Sequence, residues 1–238
     1  MLNWCNRFNI WCFVDNHQYH DSHHTIECLV AAGSVSSLRM ASGNAFATLQ
    51  QFHADHNDWI FGHLAYDLKN EIETLTSSNP DHVGFPDLFF FVPQVILELD
   101  DRSISIGSLH NDHQKIWDEI RSMSASAKEK KSDADIRSRY TKEDYVLTVE
   151  KLRQHILRGD CYEINLCQEF FAEKAAIDPV ALHVQLSASS PNPFSAFYKL
   201  DDRFLSCMSP ERYLKKEGRR LLSQPIKGTA RRHPDNPT

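Results

Sequence analysis

The chain has 238 residues, 41% of them hydrophobic and 24% charged, with 8 glycines and 10 prolines, a composition that excludes disordered and collagen-like classes. At this length a packed globular protein of one or two domains is expected. Lysine and arginine total 26 against 32 for aspartate and glutamate, so the net charge of −6 argues against nucleic acid or another broad polyanion as the main partner.

No apolar run approaches the roughly 20 residues of a membrane span, since the longest, Leu88 to Val92, stops at Pro93. The segment Met1-Leu2-Asn3-Trp4-Cys5-Asn6-Arg7 has neither a basic stretch leading into an apolar one nor a small-residue cleavage site. Cys5, Cys12, Cys28, Cys161, Cys167 and Cys207 form no CxxC pair and no compact framework. Free thiols in a reducing cytoplasm are therefore expected.

In chain order, Asn9 to Val14 and Thr25 to Ala31 are rich in Ile, Val, Phe and Cys, which predicts two strands joined by a polar loop. That loop carries His17, His20, His23 and His24 without fixed second partners, and it reads as an exposed loop rather than a metal site. Phe46, Leu49 and Phe52 predict a helix over 44–56. A strand is expected over 58–66, then a helix capped by Asp67 and running toward Leu75. Leu88 to Phe91, Gln94 to Leu99 and Ser103 to Gly107 read as successive strands, with a turn at Asp100-Asp101. Strands and helices do not alternate regularly, so α+β is favoured over a doubly wound parallel sheet.

Residues 122–138 are Ser, Ala, Lys, Glu and Asp with almost no large apolar side chain, and they read as a polar connector between an N-terminal region (1–121) and a second region (139–238). A helix follows, capped by Thr141, with Tyr145, Val149, Leu152 and Ile156 at helical spacing and Gly159 as its stop. Cys161 to Phe171 is expected as a strand with Tyr162, Ile164 and Leu166 on one side. Asp178-Pro179 opens a short helix. Strands resume over 194–200, 203–208, 212–216 and 219–224, the last two joined at Glu217-Gly218.

No GxGxxG, Walker loop or GxSxG motif occurs. The combination with chemical content is Ser209-Pro210-Glu211-Arg212 with Lys227 sixteen positions after Glu211. A carboxyl group and an amine brought together could act as proton donor and nucleophile, each tuned by burial and neighbouring charge.

These residues belong to an ordered set: GHLAYDLKNEIE (62–73), GDCYEINL (159–166), PNPFSAF (191–197), SPER (209–212) and PIKGT (225–229). The set resembles the chorismate-utilising enzymes, in particular the aminodeoxychorismate (para-aminobenzoate) synthase component I branch. The resemblance implies an α+β fold in which antiparallel sheets pack together with helices outside. Anthranilate synthases resemble PIAGT at the last motif, so Lys227 favours the aminodeoxychorismate branch and anthranilate synthase component I is the alternative. The resemblance implies that Lys227 attacks C2 of chorismate, that Glu211 gives a proton to the departing C4 hydroxyl, and that ammonia from a glutamine amidotransferase subunit enters at C4. It also implies Mg²⁺, held by glutamates of a C-terminal part that this sequence does not reach. The chain therefore reads as the N-terminal half of such an enzyme and is expected to be inactive alone. A non-catalytic domain that binds an effector or partner is the reading from another class. In relatives, the segment similar to Pro193-Phe194-Ser195 lines a tryptophan site with N-terminal residues, here Asn16, His23, His24, Thr25 and Ile26. Asn16 stands where a serine is usual, and the histidine-rich loop departs from the pattern.

Overall fold

The computed structural model describes residues 1–19, 26–123 and 134–226. Most of the expected connector, together with His20, His23, His24, Thr25 and Lys227, lies outside the described residues. The chain divides into two units, one formed by Met1–Ala127 with Pro179–Thr238 and the other by Lys128–Asp178.

The first unit opens with α1 (Leu2–Cys5), β1 (Ile10–Asp15), β2 (Cys28–Met40), α2 (Ala45–His56) and β3 (Phe61–Leu64). A 3₁₀ turn (Tyr66–Leu68) leads into α3 (Lys69–Ile72), β4 (Leu88–Leu99), β5 (Ile104–Ser108) and α4 (His113–Ser122). The second unit holds β6 (Arg137–Ser138), α5 (Lys142–Arg158) and β7 (Phe170–Phe171). The chain then returns to the first unit with α6 (Pro179–Ser189), β8 (Phe194–Leu200), β9 (Arg203–Ser209), β10 (Arg212–Glu217) and β11 (Arg220–Gln224).

Among the described residues, seven strands form one antiparallel sheet in the order β3-β4-β2-β1-β8-β9, with β5 also paired to β4. β1 is central, lying between β2 and β8. Alternation along β1 sends Trp11 and Phe13 to one face and Ile10 and Cys12 to the other, and each face has its own core. On the first face Trp11, Phe13, Val30, Leu97 and Phe197 pack against Trp4 of α1, Ile116 of α4 and Val180 of α6. On the second, Ala31, Phe89, Phe91, Tyr198 and Leu200 gather with Phe61 and Phe85. The expected α+β class, antiparallel with helices outside, is the observed one.

The differences from expectation have local causes. The two strands predicted on either side of Pro93 are one strand, β4, because a register shift between Ser34 and Ser36 of β2 falls opposite the proline and absorbs the missing N–H. β2 runs to Met40, well beyond the predicted end, since pairing with β4 carries a stretch whose small polar residues give little propensity of their own. α4 was not expected, although Ile116 and Ile120 sit four apart and both pack into the core. The strand predicted over Cys161 to Phe171 is reduced to Phe170–Phe171, which pairs with Arg137–Ser138; residues 161–169 have no ladder partner among the described residues. The helix predicted after Asp67 is a 3₁₀ turn plus one short turn of α-helix, and the Asp67 carboxylate instead accepts from Lys69 at 2.6 Å and Ser77 at 2.7 Å. In the second unit α5 is as expected: the Thr141 hydroxyl accepts from the Asp144 N–H at 3.0 Å, and Gly159 ends the helix at φ 83°.

Two residues of the 62–73 motif owe their place to packing. Gly62 in β3 lies so close to β4 that a Cβ there would stand 1.9 Å from the Phe89 carbonyl oxygen. Glu71 caps a helix that is not its own. Asn44 precedes α2 in the left-handed conformation, φ 78°, with no side-chain cap bond, and the Glu71 carboxylate accepts from the N–H groups of Gly43, Ala45 (2.6 Å) and Phe46 (3.5 Å). The Ala45 N–H foremost, then those of Gly43 and Phe46, hold this carboxyl below its ordinary 4.5. A carboxyl with a lowered folded-state pKa stabilises the fold above its unfolded value and loses that contribution as pH falls through the folded one. Glu71→Gln is therefore expected to flatten part of the drop in melting temperature below pH 4.5. An acid limb identical to wild type would count against the cap.

All six cysteines are free. Burial pushes the thiols of Cys5, Cys12 and Cys28 up to about 12, whereas Cys167 is exposed. Because the thiolate is the reactive form, iodoacetamide at pH 8 is expected to modify Cys167 first and to reach Cys5, Cys12 and Cys28 only after denaturation. Peptide mass mapping checks the order, and uniform labelling of the native chain would contradict it.

Candidate functional site

Three strand ends open a cleft at one end of the sheet. β1 ends at Asp15, which is in register with Cys28 at the start of β2 and with Ser195 near the start of β8. Beyond these pairs the chains leave the ladder, and the gap is a cavity of about 270 Å³. Asn16, Ile26, Pro193, Phe194 and Ser195, all expected as effector-site residues, line it together. Val14, Asp15, Glu27, Leu29, Ala196 and Arg212 complete the described lining.

The walls are held by the turn that follows β1. The Asn16 N–H donates to the Glu27 carbonyl at 3.0 Å, and its side-chain amide donates to the Tyr19 carbonyl at 3.1 Å. The Gln18 N–H is shared between the Asn16 side-chain oxygen at 2.9 Å and a Glu27 carboxylate oxygen at 2.6 Å. Ser195, 1% exposed, donates to the Asn192 carbonyl at 2.7 Å, so its hydroxyl shapes the 192–195 turn. His17 and Gln18 both take positive φ, 53° and 57°. In the loop expected to be exposed, Gln18 and Tyr19 are exposed, whereas the His17 side chain is only 15% exposed: its backbone N–H donates to Asp15 at 2.9 Å, and its Nε2 lies 3.3 Å from the Ser187 hydroxyl of α6. Asp15 and Glu27 are the acidic residues of the described lining and Arg212 its cationic one. The guanidinium of Arg212 lies 4.8 Å from the Phe194 ring centroid and donates to the Gln224 side-chain oxygen at 2.8 Å.

Glu211 occupies the turn between β9 and β10 and is half-buried. Its N–H donates to the Ser209 hydroxyl at 3.2 Å, and that hydroxyl donates to the Glu211 carbonyl at 3.1 Å. The SPER motif is thus a serine-closed turn that fixes the backbone on both sides of the glutamate. Arg212, the next residue, pairs across the hairpin with Gln224, three positions before Lys227. Asp15, Glu27 and Arg212 were missed as lining residues by sequence reading. The available signal was the position of Arg212 within SPER and of Asp15 beside Asn16.

Among the described residues, no three His, Cys, Asp or Glu side chains converge as a metal site requires. No helix among the described residues is long and apolar enough to cross a membrane.

The chain belongs to the chorismate binding enzyme family, whose model matches residues 14–237. It is 29% identical over 177 residues to aminodeoxychorismate synthase component 1 of Escherichia coli strain K12, covering 73% of this chain and 39% of that protein. It is 28% identical over 187 residues to anthranilate synthase component 1 of Thermus thermophilus, covering 74% of this chain and 40% of that protein. The fold resembles the crystal structure of anthranilate synthase component I from Streptococcus pneumoniae TIGR4 with a TM-score of 0.68 at 17% identity, over 84% of this chain and 55% of that one. The chain thus spans well under half the length of these curated relatives.

Proposed function

We propose that this chain supplies the N-terminal part of an enzyme that converts chorismate and ammonia to 4-amino-4-deoxychorismate, on the route to para-aminobenzoate and folate. The observation that carries this reading is the lysine of Pro225-Ile226-Lys227-Gly228-Thr229, which follows Glu211 of the SPER turn. A neutral Lys227 amine attacks C2 of chorismate and the double bond shifts as the C4–O bond breaks. Glu211 gives its proton to that oxygen, so water rather than hydroxide departs. Ammonia then adds at C4 and expels the lysine from C2, which restores the amine. Magnesium would hold a substrate carboxylate in this chemistry, with ligands from outside the described residues. A glutamine amidotransferase subunit would supply ammonia, and the six free cysteines accord with a cytoplasmic setting.

The cleft at the ends of β1, β2 and β8 is proposed as an effector site for a small aromatic amino acid. Asp15 and Glu27 suit an ammonium group, Arg212 a carboxylate, and Phe194 with Ile26 and Leu29 an apolar side chain.

Anthranilate synthesis is the second reading, supported by the Thermus relative at nearly the same identity as the E. coli one. The two separate by product. The chain joined in frame to the C-terminal part of the E. coli relative is expected to give 4-amino-4-deoxychorismate from chorismate, Mg²⁺ and ammonium, while the 238-residue chain alone gives none. Anthranilate with pyruvate as the product would transfer the chain to the second reading. No product from a folded fusion would overturn both.

A further inference from the structure

The helix α6 rests on the seven-stranded sheet through few buried side chains. Val180, Ala181 and His183 are its buried residues, while Leu182, Val184 and Leu186 are exposed. The deepest of the three is the histidine, at 2% exposure. Its ring stands edge-on to Phe13 of β1, with centroids 5.9 Å apart, and lies 4.9 Å from Phe197 of β8. Its Nδ1 is 2.8 Å from the Ser206 hydroxyl of β9. A neutral imidazole suits this place, because it can share a proton with a hydroxyl and otherwise packs as an aromatic ring. An imidazolium does not, since two phenyl rings and a hydroxyl return little for the hydration it loses.

The charged groups around the ring do not offset that loss. Asp15 at the end of β1 favours the protonated ring, and His17 in the following turn opposes it. The Asp15 carboxylate is already shared with His17: it accepts from the His17 N–H at 2.9 Å and lies 3.7 Å from the His17 Nδ1. The other titratable groups of β1, β8 and β9 are turned elsewhere. Cys12 and Tyr198 belong to the core on the opposite face, and Cys207 alternates to that face from Ser206. Lys199 donates to the Asn6 carbonyl at 3.1 Å, and Arg203 to the Val83 carbonyl at 3.1 Å. On α6 itself no other residue titrates. Burial foremost, then His17, hold His183 below its ordinary 6.5 against the pull of Asp15.

We propose that α6 is a proton-released helix: its docking requires a neutral His183, and acidification frees it from β9 while the strands beneath stay paired. A histidine whose docked pKa is depressed stabilises docking in full above its free value near 6.5. That contribution is lost as pH falls from there toward the depressed value, because the released helix takes up the proton more readily.

The full 238-residue chain is followed by hydrogen–deuterium exchange at pH 7.5, 6.5 and 5.5, with rates corrected for the intrinsic pH dependence of amide exchange and with β1, β2 and β4 peptides as the reference. Opening of α6 is expected to rise on the order of 10-fold between pH 7.5 and 5.5 while the reference peptides keep their protection. His183→Gln, which offers Ser206 a hydrogen-bonding group without a charge, is expected to lose this pH dependence. His17→Gln is expected to keep part of it, since burial still acts on His183. An NMR titration of the His183 ring in wild type reads the ionisation without any variant, and a midpoint below 6.5 is expected. An ordinary midpoint with α6 still protected at pH 5.5 overturns the proposal, as does an equal pH dependence in His183→Gln. Acid opening of α6 together with the reference strands also overturns it, because that is unfolding of the sheet rather than release of the helix.

Discussion

Lys227→Ala, placed in the chain fused to the C-terminal part of a relative, is expected to abolish the covalent adduct between protein and chorismate-derived ligand while sparing chorismate binding. Attack at C2 needs an amine at that position, whereas recognition of the ground state rests on contacts to the substrate carboxylates elsewhere. Glu211→Gln is expected to keep the nucleophile and slow loss of the C4 hydroxyl, with a cost on the order of 10² to 10⁴ in rate for a general acid. The two variants differ in kind: one loses the intermediate, the other forms it slowly. Intact-protein mass spectrometry after a chorismate pulse reports the adduct, and ammonium-dependent turnover reports the whole sequence. An adduct that persists in Lys227→Ala, or undiminished turnover in Glu211→Gln, would take these residues out of their roles.

The largest stability effect is expected at the centre of the sheet. Phe197 of β8 is 1% exposed, and its ring centroid lies 4.9 Å from that of Trp11 on the neighbouring strand and 4.9 Å from that of His183 on α6. Phe197→Ala removes a ring that joins strand to strand and sheet to helix, and a cavity of that kind costs about 3–5 kcal/mol. That is a large share of the ~5–15 kcal/mol by which domains are stable. Trp11→Phe provides the contrast. The Trp11 indole N–H is buried without a hydrogen-bond partner, so the smaller ring loses packing but also removes an unsatisfied donor, and a net change within about 1 kcal/mol is expected. Urea unfolding followed by circular dichroism measures both. Equal destabilisation by the two variants would mean that packing of the tryptophan outweighs its unpaired N–H.

The parts of the fold that were legible in the sequence are those whose signals are local. α5 announces itself through the Thr141 cap, the spacing of Tyr145, Val149, Leu152 and Ile156, and the Gly159 stop, and its structure follows that pattern. The strands β8 to β11 likewise match their alternating stretches and the Glu217-Gly218 turn. What local patterning could not reveal depends on partners distant in sequence. The far half of β2, Ser34-Val35-Ser36-Ser37-Leu38-Arg39-Met40, is a strand because β4 lies beside it. Glu71 looks like one more charge in a short helix until α2, which begins 26 residues before it, is seen to lack a cap. The cleft was legible only in part. Asn16, Ile26 and Pro193 to Ser195 were placed by resemblance, whereas Asp15, Glu27 and Arg212 enter it through register and hairpin geometry that spacing does not encode.

The position of β1 bears on how the chain comes off the ribosome. β1 lies early in the sequence, yet one of its two ladder partners, β8, begins at Phe194. Until that segment emerges, β1 carries an open hydrogen-bonding edge in the middle of the nascent sheet, with Trp11 lacking its contact to Phe197. Loop-closure entropy must be met before such a distant pairing is rewarded, so sheet completion is expected to be slow. For the length of that delay the emerging polypeptide is a substrate for chaperones that hold exposed strands, and cells short of such holdases are where its yield would first decline.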